Sequence, residues 1–383
     1  MNTPRVDAAR IDIRQVPPGH CGSSEMWPPP AHKTAWTYSS PVWWGSPKPD
    51  RGRRRSAPAH LGRRASEARL DRGRISPALP RSTASPPPTI RPINTGALRD
   101  IFIHPIKSCG AVRLSSVYIS ALGLAGDRLW QVIDADSGRL TQRQHPRLAT
   151  VRPELLDHGG IRLSAFDMAT IDIDPPNSPP ITVTTTQLKI PVTAIDAGDA
   201  AAQWFTALTG TTARLVTLAD GTGSRLPGDL DVFGQNSAFT DAAPVLVTST
   251  SSLDWLLERS AEDITMDRFR PNLVVSGFEP WEEDRWATFR IGEAECLSSI
   301  PWPRCPIPQI DQTNAKRHRE PALVLRAHRW CTDASALNDP FRPFLEGNAL
   351  FGIGTAIAPA GVQLHVGDHV KVNATQTPVL SMA

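Results

Sequence analysis

The sequence predicts an α+β protein that is mostly β, with two linked β-barrel-like domains and a few helices after a disordered N-terminal extension. Three observations lead to this prediction. The composition of the 383-residue chain changes abruptly near residue 95. After that point, short runs of β-branched residues recur between clusters of Pro, Asp and Gly, which is typical of antiparallel sheet that closes on itself. Two segments show the periodicity of helices.

The N-terminal extension is rich in proline and arginine. Residues 1–95 hold 16 of the 37 prolines and 16 Lys and Arg against 6 Asp and Glu, which leaves 25 against 32 for the rest of the chain. Such a segment buries too little apolar surface to offset the entropy of ordering, so we predict that it is disordered. Its Pro and Trp content fits neither a nucleic-acid-binding arm nor a targeting peptide well. We therefore interpret this segment either as a dispensable extension or as the result of a translation start that is assigned too far upstream.

The predicted strands begin at Leu98. The stretch "LRDIFIHPIKS" alternates apolar and polar residues, and "RLWQVIDADSGRLTQRQHP" has the strand, turn, strand pattern of a hairpin. Further strands are predicted at "ITVTTT", "KIPVTAI", "NLVVSGF", "ATFRIG", "EAECLSSI" and "GVQLHVGDHVKV", the last with a tight turn at Gly367 and Asp368. We expect residues 96–213 to form the first β-rich domain and residues 214–373 the second.

The clearer of the two predicted helices is "DAAAQWFTALTG". Asp199 has the side chain of an N-cap, and Gly210 should end the helix. Trp204, Phe205 and Leu208 fall on one face, so this face should be buried. The second helix, "SSLDWLLERS", begins at one of its first two serines and presents its leucines with helical spacing.

The five cysteines show no CxxC pair and no spacing typical of zinc or iron–sulfur ligands. Their odd number and wide separation argue against a disulfide framework and suit a reducing compartment. No run of about 18 apolar residues is present, so we expect no membrane span. The N-terminus also lacks the apolar stretch of a secretory signal. We therefore expect a cytoplasmic protein.

The segment "PWPRCPIPQID" places Cys305 among prolines. Proline fixes φ and lacks an amide donor, so the segment should be a stiff extended loop rather than an interior helix or a central strand. Arg304 favours the thiolate form of Cys305, which is the form that binds metals. One thiolate provides too few ligands for zinc. If Cys305 binds a metal, that metal should be carried by an organic, sulfur-bearing cofactor.

Two groups of residues are candidates for holding an anion. Lys107, Ser108 and Arg128 lie at predicted strand ends beside glycines, where charged groups and backbone amides converge on a phosphate in known sites. Arg270 and Asn272 flank a proline just before a predicted strand, which would hold a guanidinium and an amide in fixed positions. The simpler alternatives are solvated side chains at strand ends and a turn in which Asn272 caps its own backbone.

Other polar residues are interpreted as structural. Cys296 lies in an alternating strand and should be a packed core thiol. The acidic residues of "PWEEDRW", at positions 282–284, are expected in a solvated turn, although a carboxylate there would be able to orient Arg270. Three histidines are also expected to be structural, namely His104, His145 and His328.

These segments together resemble the MOSC-domain family, which joins a MOSC domain to an N-terminal β-barrel, as in the mitochondrial amidoxime reducing component and its bacterial relatives. The resemblance runs from about Leu98 to Val372. The motifs that carry it are "HPIKSCG", "GLAGDRLW", "LTQRQHPRL", "TDAAP", "RFRPNLVV", "PWEEDRW", "RC" with an aspartate six residues later, "EPALVLRAHR", "LFG" and "GVQLHVGDHV".

The resemblance implies one site built from the candidate residues. In this family a molybdenum ion is held by the dithiolene of one molybdopterin and by a cysteine thiolate, which matches Cys305. Asp311 would orient Arg304 or relay a proton beside the metal, or would close its loop as a turn residue. The positions that match the family's cofactor-binding residues are Lys107, Ser108 and Arg128 for the phosphate, Asp241 along the pterin, and Arg270, Asn272 and Arg304.

The activity implied by the resemblance is the reduction of N-hydroxylated compounds, such as amidoximes, hydroxylamines and N-hydroxylated bases, by removal of the N–OH oxygen at molybdenum. Two alternatives stay open. One is a sulfur carrier with a persulfide on Cys305 for metal-sulfur cofactor assembly, and the other is a non-catalytic protein that binds the molybdenum cofactor. At the level of the family alone, the resemblance also implies pyridoxal phosphate binding.

The chain departs from the family pattern at two positions, where Ala243 replaces a hydroxyl residue and Pro303 a small polar one. Both departures should alter hydrogen bonding to the pterin more than metal ligation. The chain ends soon after "KVNATQ", with no room for the four-cysteine iron–sulfur domain fused to some bacterial relatives. We therefore expect a small-molecule substrate, a separate electron-donor protein and no nucleic-acid partner.

Overall fold

The computed structural model describes residues 95–136, 138–184, 190–219, 223–335 and 340–380. The predicted N-terminal extension lies outside the described residues, apart from its last residue. The described part is mostly β and includes short helices. The structure therefore agrees with the predicted fold class.

The strands and helices are numbered in chain order. The strands are β1 (Thr95–Ile103), β2 (Val112–Leu114), β3 (Ser116–Ser120), β4 (Gly123–Leu124), β5 (Trp130–Ile133), β6 (Arg152–Leu155), β7 (Ile161–Ser164), β8 (Ile171–Ile173), β9 (Pro180–Thr184), β10 (Pro191–Asp196), β11 (Arg214–Leu218), β12 (Val245–Ser249), β13 (Leu273–Ser276), β14 (Trp286–Ile291), β15 (Ala294–Pro303), β16 (Trp330–Cys331), β17 (Asn348–Ala358), β18 (Gln363–His365) and β19 (His369–Thr375). The helices are α1 (Asp199–Thr209), α2 (Thr250–Leu257), α3 (Ala322–His328) and α4 (Arg342–Leu345).

Seven strands close into a barrel in the order β12, β13, β1, β19, β14, β15 and β17, with β17 pairing back to β12. The pairings are antiparallel except that of β12 with β13. Because each of these strands has two neighbours, the barrel leaves no free sheet edge. Buried apolar side chains such as Leu273, Trp286 and Phe289 fill the interior. The predicted β-barrel is confirmed in this part of the chain.

A second group of strands packs around α1. Strands β5, β11, β10 and β9 form a four-stranded antiparallel sheet, and β6, β7 and β8 form a three-stranded one. The predicted apolar face of α1 is buried. Its residues Trp204, Phe205 and Leu208 belong to one apolar cluster with residues of β5, β7 and β11. This helix therefore fixes the two sheets relative to each other.

The sequence prediction for α1 is right at its C-terminus and wrong at its N-cap. Gly210 ends the helix with a left-handed φ of 70°. Gly198 occupies the N-cap position with a φ of 87°, and no side chain caps the helix. Asp199 is the first helical residue, and its carboxylate accepts a hydrogen bond from Arg214 Nη2 at 3.1 Å. A negative charge in the first turn still favours the helix.

Strand pairing crosses the predicted boundary between the two domains. β1, at the start of the first predicted domain, lies in the barrel between β13 and β19. β11, which begins at Arg214, pairs with β5 and β10. Each predicted domain thus contributes a strand to a sheet of the other. The domain limits themselves stay a prediction.

The prediction of an extended loop for the proline-rich segment is wrong for residues 301–303, which continue β15. The prediction that these prolines avoid the centre of a sheet holds, because they are paired on one side only. β15 pairs with β17 as far as Pro303, which lies opposite Leu350. On the other side of β15, pairing with β14 stops at Leu297. The missing amide hydrogens of Pro301 and Pro303 therefore cost no hydrogen bond on that side, because no strand is paired there. Cys305 follows two residues beyond the end of the strand.

Helices α3 and α4 are absent from the sequence prediction. Both are short, with seven and four residues, and both begin next to a proline, so neither presents a long apolar period. The apolar side chains of Val324 and Leu325 in α3 pack against Phe351 of β17. Among the described helices, none combines the length and the apolar character that crossing a membrane requires.

A buried acidic cluster overturns the prediction of a solvated turn. Glu283 and Asp284 are both buried. Asp284 accepts a hydrogen bond from Arg329, and Glu283 accepts one from the Ser252 hydroxyl at 2.9 Å. Asp284 therefore pairs with Arg329 and not with Arg270. Burial, together with the neighbouring Asp284 charge, raises the pKa of Glu283 to about 7.

We predict that Glu283 makes the stability of the fold depend on pH. Its folded-state pKa of about 7 lies above its ordinary value of 4.5, so the folded protein holds the proton more tightly than the unfolded chain. The stabilisation from this proton is fully present below pH 4.5 and is lost as pH rises through 7. The free energy of unfolding should fall by on the order of 2 kcal/mol over this range. Urea unfolding at pH 5 and pH 8 measures the fall, and Glu283→Gln should remove most of it.

The matched control is Glu293→Gln, which makes the same chemical change at an exposed position between β14 and β15. This variant should retain the pH dependence of the unmodified protein. If Glu283→Gln retains it as well, Glu283 is ionised in the folded protein at neutral pH and the prediction is wrong.

Candidate functional site

The candidate site begins at the turn after β1. Ser108 has a left-handed backbone with φ 66°, and Lys107 beside it is buried. The Lys107 ammonium donates hydrogen bonds to the carbonyl oxygens of Phe239 at 2.7 Å and Thr240 at 3.2 Å, and to Asp241 Oδ1 at 2.9 Å. Two of the motifs found in the sequence, "HPIKSCG" and "TDAAP", are therefore in direct contact.

The Lys107 and Asp241 side chains form an ion pair with shifted pKa values. Burial lowers the pKa of Lys107 to about 8, although the Asp241 charge opposes this shift. Burial also acts to raise the pKa of Asp241, yet the charges of Lys107 and Arg139 hold it well below its ordinary range. Asp241 is therefore ionised at neutral pH. Because its side chain is 41% exposed, the carboxylate is accessible to a ligand.

Arg128 is held by neighbours from other segments. Its backbone is left-handed with φ 50°. Its guanidinium donates hydrogen bonds to Asp127, to Asn272 Oδ1 at 3.1 Å and to the carbonyl oxygen of Arg270 at 3.4 Å. Asp127 also accepts a hydrogen bond from the backbone amide of His104 at 2.7 Å. These contacts orient the guanidinium before any ligand binds.

Asn272 acts in the structure as a positioning residue. Its side chain is buried. Oδ1 accepts hydrogen bonds from Arg128 and from the amide of Leu246 at 3.1 Å, and Nδ2 donates to the carbonyl oxygen of Phe102 at 3.2 Å. Asn272 therefore does not cap its own backbone, and it links β1, β12 and Arg128.

Arg270 is a buried cation. It follows the short 3₁₀ turn Met266–Phe269 and has a left-handed φ of 55°. Nη1 donates a hydrogen bond to the carbonyl oxygen of Cys109, while Nη2 has no hydrogen-bond partner among the described residues. Burial and the charge of Arg128 lower the pKa of Arg270 to about 10, so it is cationic at neutral pH. A buried guanidinium with an unused donor is suited to binding an anion.

Cys305 differs from the other cysteines that the structure describes. It is partly exposed, whereas Cys109, Cys296 and Cys331 are buried. Burial raises the pKa of the Cys109 thiol to about 12 and that of the Cys331 thiol to about 11, and it also raises the pKa of Cys296. Cys296 is a core residue of the barrel, as expected. Cys305 is therefore the described thiol best suited to react or to bind a metal.

Arg304 connects the thiol to the rest of the site. Its Nη2 donates a hydrogen bond to the carbonyl oxygen of Phe269 at 2.6 Å, next to Arg270. Burial lowers the pKa of Arg304 to about 10, while the charges of Cys305 and Asp241 act in the opposite direction. Arg304 therefore lies within electrostatic range of both the thiol and the carboxylate.

Arg139 belongs to the site although the sequence analysis does not single it out. It pairs with Ile133 of β5. The predicted second hairpin strand is reduced to this pairing and to backbone hydrogen bonds from Asp134 to Gly138 at 2.8 Å and from Leu140 to Val132 at 2.9 Å. Its Nη1 lies 3.5 Å from Asp241 Oδ1. Burial lowers the pKa of Arg139, and the charges of Asp241 and Cys305 oppose this shift. An arginine after a turn looks like a surface residue, so the sequence carries no signal for this role.

Asp311 lies in a turn of its own. Its carboxylate accepts hydrogen bonds from the Thr313 amide at 2.7 Å, the Thr313 hydroxyl at 2.6 Å and Asn314 Nδ2 at 2.9 Å. These are the contacts of an Asx turn, and a turn residue that closes its loop was one of the three predicted roles. A role for Asp311 in proton transfer stays a prediction.

The contacts and charges bring together five cationic side chains, one carboxylate and one thiol, which we call the cation cluster. Its members are Lys107, Arg128, Arg139, Arg270, Arg304, Asp241 and Cys305. Its excess of positive charge suits a ligand that carries a phosphate. In the described part of the chain, no group of three or more His, Cys, Asp and Glu side chains is placed to hold a metal ion.

The fold and the cation cluster define a β-barrel protein with an anion-binding site that contains a thiol. Residues 95–212 match the family model of the MOSC N-terminal beta barrel domain, and residues 234–371 match that of the MOSC domain. The chain belongs to the MOSC-domain family, and the resemblance predicted from the sequence motifs is confirmed.

Curated relatives match most of the described chain. It is 31% identical over 291 residues to mitochondrial amidoxime reducing component 2 of Bos taurus, an alignment that covers 72% of this chain and 82% of the relative. It is also 31% identical over 288 residues to mitochondrial amidoxime-reducing component 1 of Homo sapiens, with the same coverage of 72% and 82%. The molybdenum cofactor sulfurase of Danio rerio is 27% identical over 255 residues, but only 30% of that relative is covered.

We predict that Cys305 is alkylated far faster than the buried cysteines. In metal-free protein treated with iodoacetamide, peptide mapping should show Cys305 modified at least about tenfold faster than Cys109, Cys296 or Cys331, because a buried thiol is neither accessible nor ionised. Denaturation in urea should equalise the rates and serves as the control. Similar rates in the folded protein would contradict the exposure of Cys305.

Proposed function

We propose that this protein is a molybdenum-cofactor-dependent oxidoreductase that reduces N-hydroxylated compounds, such as amidoximes, hydroxylamines and N-hydroxylated bases, to the corresponding amines or amidines. The observation that carries the proposal is the cation cluster, in which five cations surround one accessible carboxylate within electrostatic range of a single partly exposed thiol. The names of the amidoxime-reducing relatives support the reaction class.

The residues present fit the phosphate and the pterin of such a cofactor. The cluster holds more positive than negative charge, and Arg270 Nη2 is a buried donor without a partner among the described residues. The hydroxyl of Thr240, next to Asp241, is also buried without a partner in this part of the chain. Unpaired buried polar groups are costly, so a bound ligand that satisfies them would stabilise the folded protein.

The residues present also fit a metal whose other ligands are supplied by an organic cofactor. A single protein thiolate, Cys305, is too few ligands for a metal that the protein binds alone. The dithiolene of a pterin cofactor supplies two further sulfur ligands and leaves one protein thiolate to complete the set. When bound, the cofactor supplies the two-electron chemistry that removes oxygen from an N–OH group.

Each residue of the cluster has a proposed role. Ser108 and Arg128 bind the phosphate, and Lys107 contributes its positive charge, because its three N–H groups already donate to acceptors of the protein. Asp241 accepts hydrogen bonds from the N–H groups of the pterin. Arg270 and Arg304 neutralise the remaining negative charge. Asn272 acts indirectly, by holding Arg128.

Arg139 is the cationic group proposed to face the substrate. A positive charge coupled to Cys305 stabilises negative charge that develops on the departing oxygen. A separate electron-donor protein would supply electrons, and Asp311 is a candidate for proton transfer. The cytoplasmic location stays a prediction, since the curated relatives are named mitochondrial.

A second candidate function is sulfur transfer. The similarity to a molybdenum cofactor sulfurase is the observation that favours it, and a persulfide on Cys305 would require no bound molybdenum. The amidoxime-reducing relatives match more of this chain, at 72% compared with 60%. The reductase is therefore the better supported function.

We predict that the purified protein contains about one molybdenum and one pterin per chain, and that Cys305→Ser loses the metal. The loss follows because the serine hydroxyl is a poor ligand for a soft, sulfur-bound metal. Elemental analysis and pterin fluorescence measure both quantities. Reduction of an aryl amidoxime with an artificial reductant should fall by at least about a hundredfold in the same variant.

Cys296→Ser is the matched control, because Cys296 is buried in the barrel core and should not affect metal content in folded protein. A persulfide on Cys305 in protein that lacks molybdenum would favour the sulfur carrier. Molybdenum and pterin without reduction of any N-hydroxylated compound would favour a cofactor-binding protein.

A further inference from the structure

A cavity of about 160 Å³ has a lining that differs from the cation cluster in all but one residue. Of the cluster residues, only Arg270 lines it. At about 30 Å³ per water molecule, this volume is that of roughly five waters, which suits a small ion better than a pterin. The polar side chains that line it are His104, Arg113, Arg152, Asp267, Arg270 and Gln312.

The lining carries more positive than negative charge. Arg113 donates a hydrogen bond to Asp100, and the Arg152 guanidinium donates to the carbonyl oxygens of Ala149 at 2.8 Å and Gln312 at 2.7 Å. Arg270 is buried, and none of its hydrogen bonds goes to a carboxylate among the described residues. Arg113 is thus already paired with a carboxylate. Arg152 and Arg270 are the two guanidinium groups that face the single carboxylate of the lining, and a bound anion would balance the remaining charge.

The lining also offers hydrogen-bond acceptors. His104 Nε2 lies 3.1 Å from the carbonyl oxygen of Pro271, which requires the proton on Nε2 and leaves Nδ1 as an acceptor. Burial and the charges of Arg270 and Arg128 hold the pKa of His104 well below its ordinary range, so the ring is neutral. Nδ1 is buried without a partner among the described residues. The carboxylate of Asp267 is the second acceptor.

We propose that this cavity is a binding site for inorganic phosphate, and that it rejects sulfate. At neutral pH, phosphate carries at least one P–OH group, which donates to His104 or Asp267 while the other oxygens accept from the guanidinium groups. Sulfate has the same shape and a similar charge but carries no proton. It would leave His104 Nδ1 unpaired and place an oxyanion against the Asp267 carboxylate.

Titration calorimetry of the full chain at pH 7.5 and constant ionic strength tests the proposal. Inorganic phosphate should bind at least about tenfold more tightly than sulfate, because a site built for a hydroxyl rejects an analogue that lacks it. Arg152→Gln should weaken phosphate binding at least about fivefold through loss of one charged donor. Asp267→Asn removes the repulsion and should bring the two affinities within about threefold of each other.

Two control variants separate this site from other sources of phosphate binding. Arg162→Gln removes an exposed arginine paired with Asp172 and should leave the phosphate affinity unchanged. Lys107→Gln alters the cation cluster and not the lining of the cavity, so it reports whether the phosphate binds in that cluster instead. If Lys107→Gln abolishes binding while Arg152→Gln does not, the phosphate is in the cofactor cluster and the proposal is overturned.

Equal affinity for phosphate and sulfate, or no binding of either, also overturns the proposal. Circular dichroism confirms that each variant is folded. If Arg152→Gln does not fold, Asp267→Asn decides the question alone. Retained phosphate binding with lost rejection of sulfate supports the cavity, and unchanged rejection of sulfate contradicts it.

Discussion

The buried amide of Asn272 is the contact on which the geometry of the site depends. It joins β1 to β12 through the carbonyl of Phe102 and the amide of Leu246, and its oxygen also accepts from Arg128. The backbone of Asn272 makes two further hydrogen bonds to the same strands. Its amide donates to the carbonyl oxygen of Leu246 at 2.8 Å, and its carbonyl oxygen accepts from the amide of Phe102 at 2.7 Å. An apolar side chain here would leave several buried polar groups unpaired, at about 1–3 kcal/mol each. The barrel itself therefore sets the position of Arg128.

The cation cluster lowers the stability of the folded protein unless an anion is bound. Burial lowers the pKa values of Lys107, Arg270 and Arg304, which shows that the charged form of each is less favourable here than in water. The carboxylates of Asp241 and Asp127 compensate for only part of this charge. A ligand that binds the folded state and not the unfolded chain stabilises the protein by mass action. Binding of a phosphate-bearing cofactor and stability of the fold are therefore linked through these side chains.

Local patterns in the sequence were sufficient for much of the fold but for less of the site. Alternation located β1, short apolar runs located β13 and β14, and a helical period located α1, because these signals depend only on neighbouring residues. The burial of Glu283, the strand that includes Pro303 and the role of Arg139 depend on partners that lie far away in the chain. The motifs found the candidate positions, but a motif does not show that Asn272 holds Arg128 rather than a ligand.

Arg270 lies where the cation cluster meets the phosphate cavity. Its Nη1 is bonded to Cys109, which leaves Nη2 as the donor for an anion on either side. Two anions that share one donor compete for it, and their charges repel each other near a buried side chain. Thermodynamic linkage then requires the effect to be mutual, since each anion weakens the other by the same factor. The left-handed turn that buries Arg270 thus places one charge in both sites and couples them electrostatically.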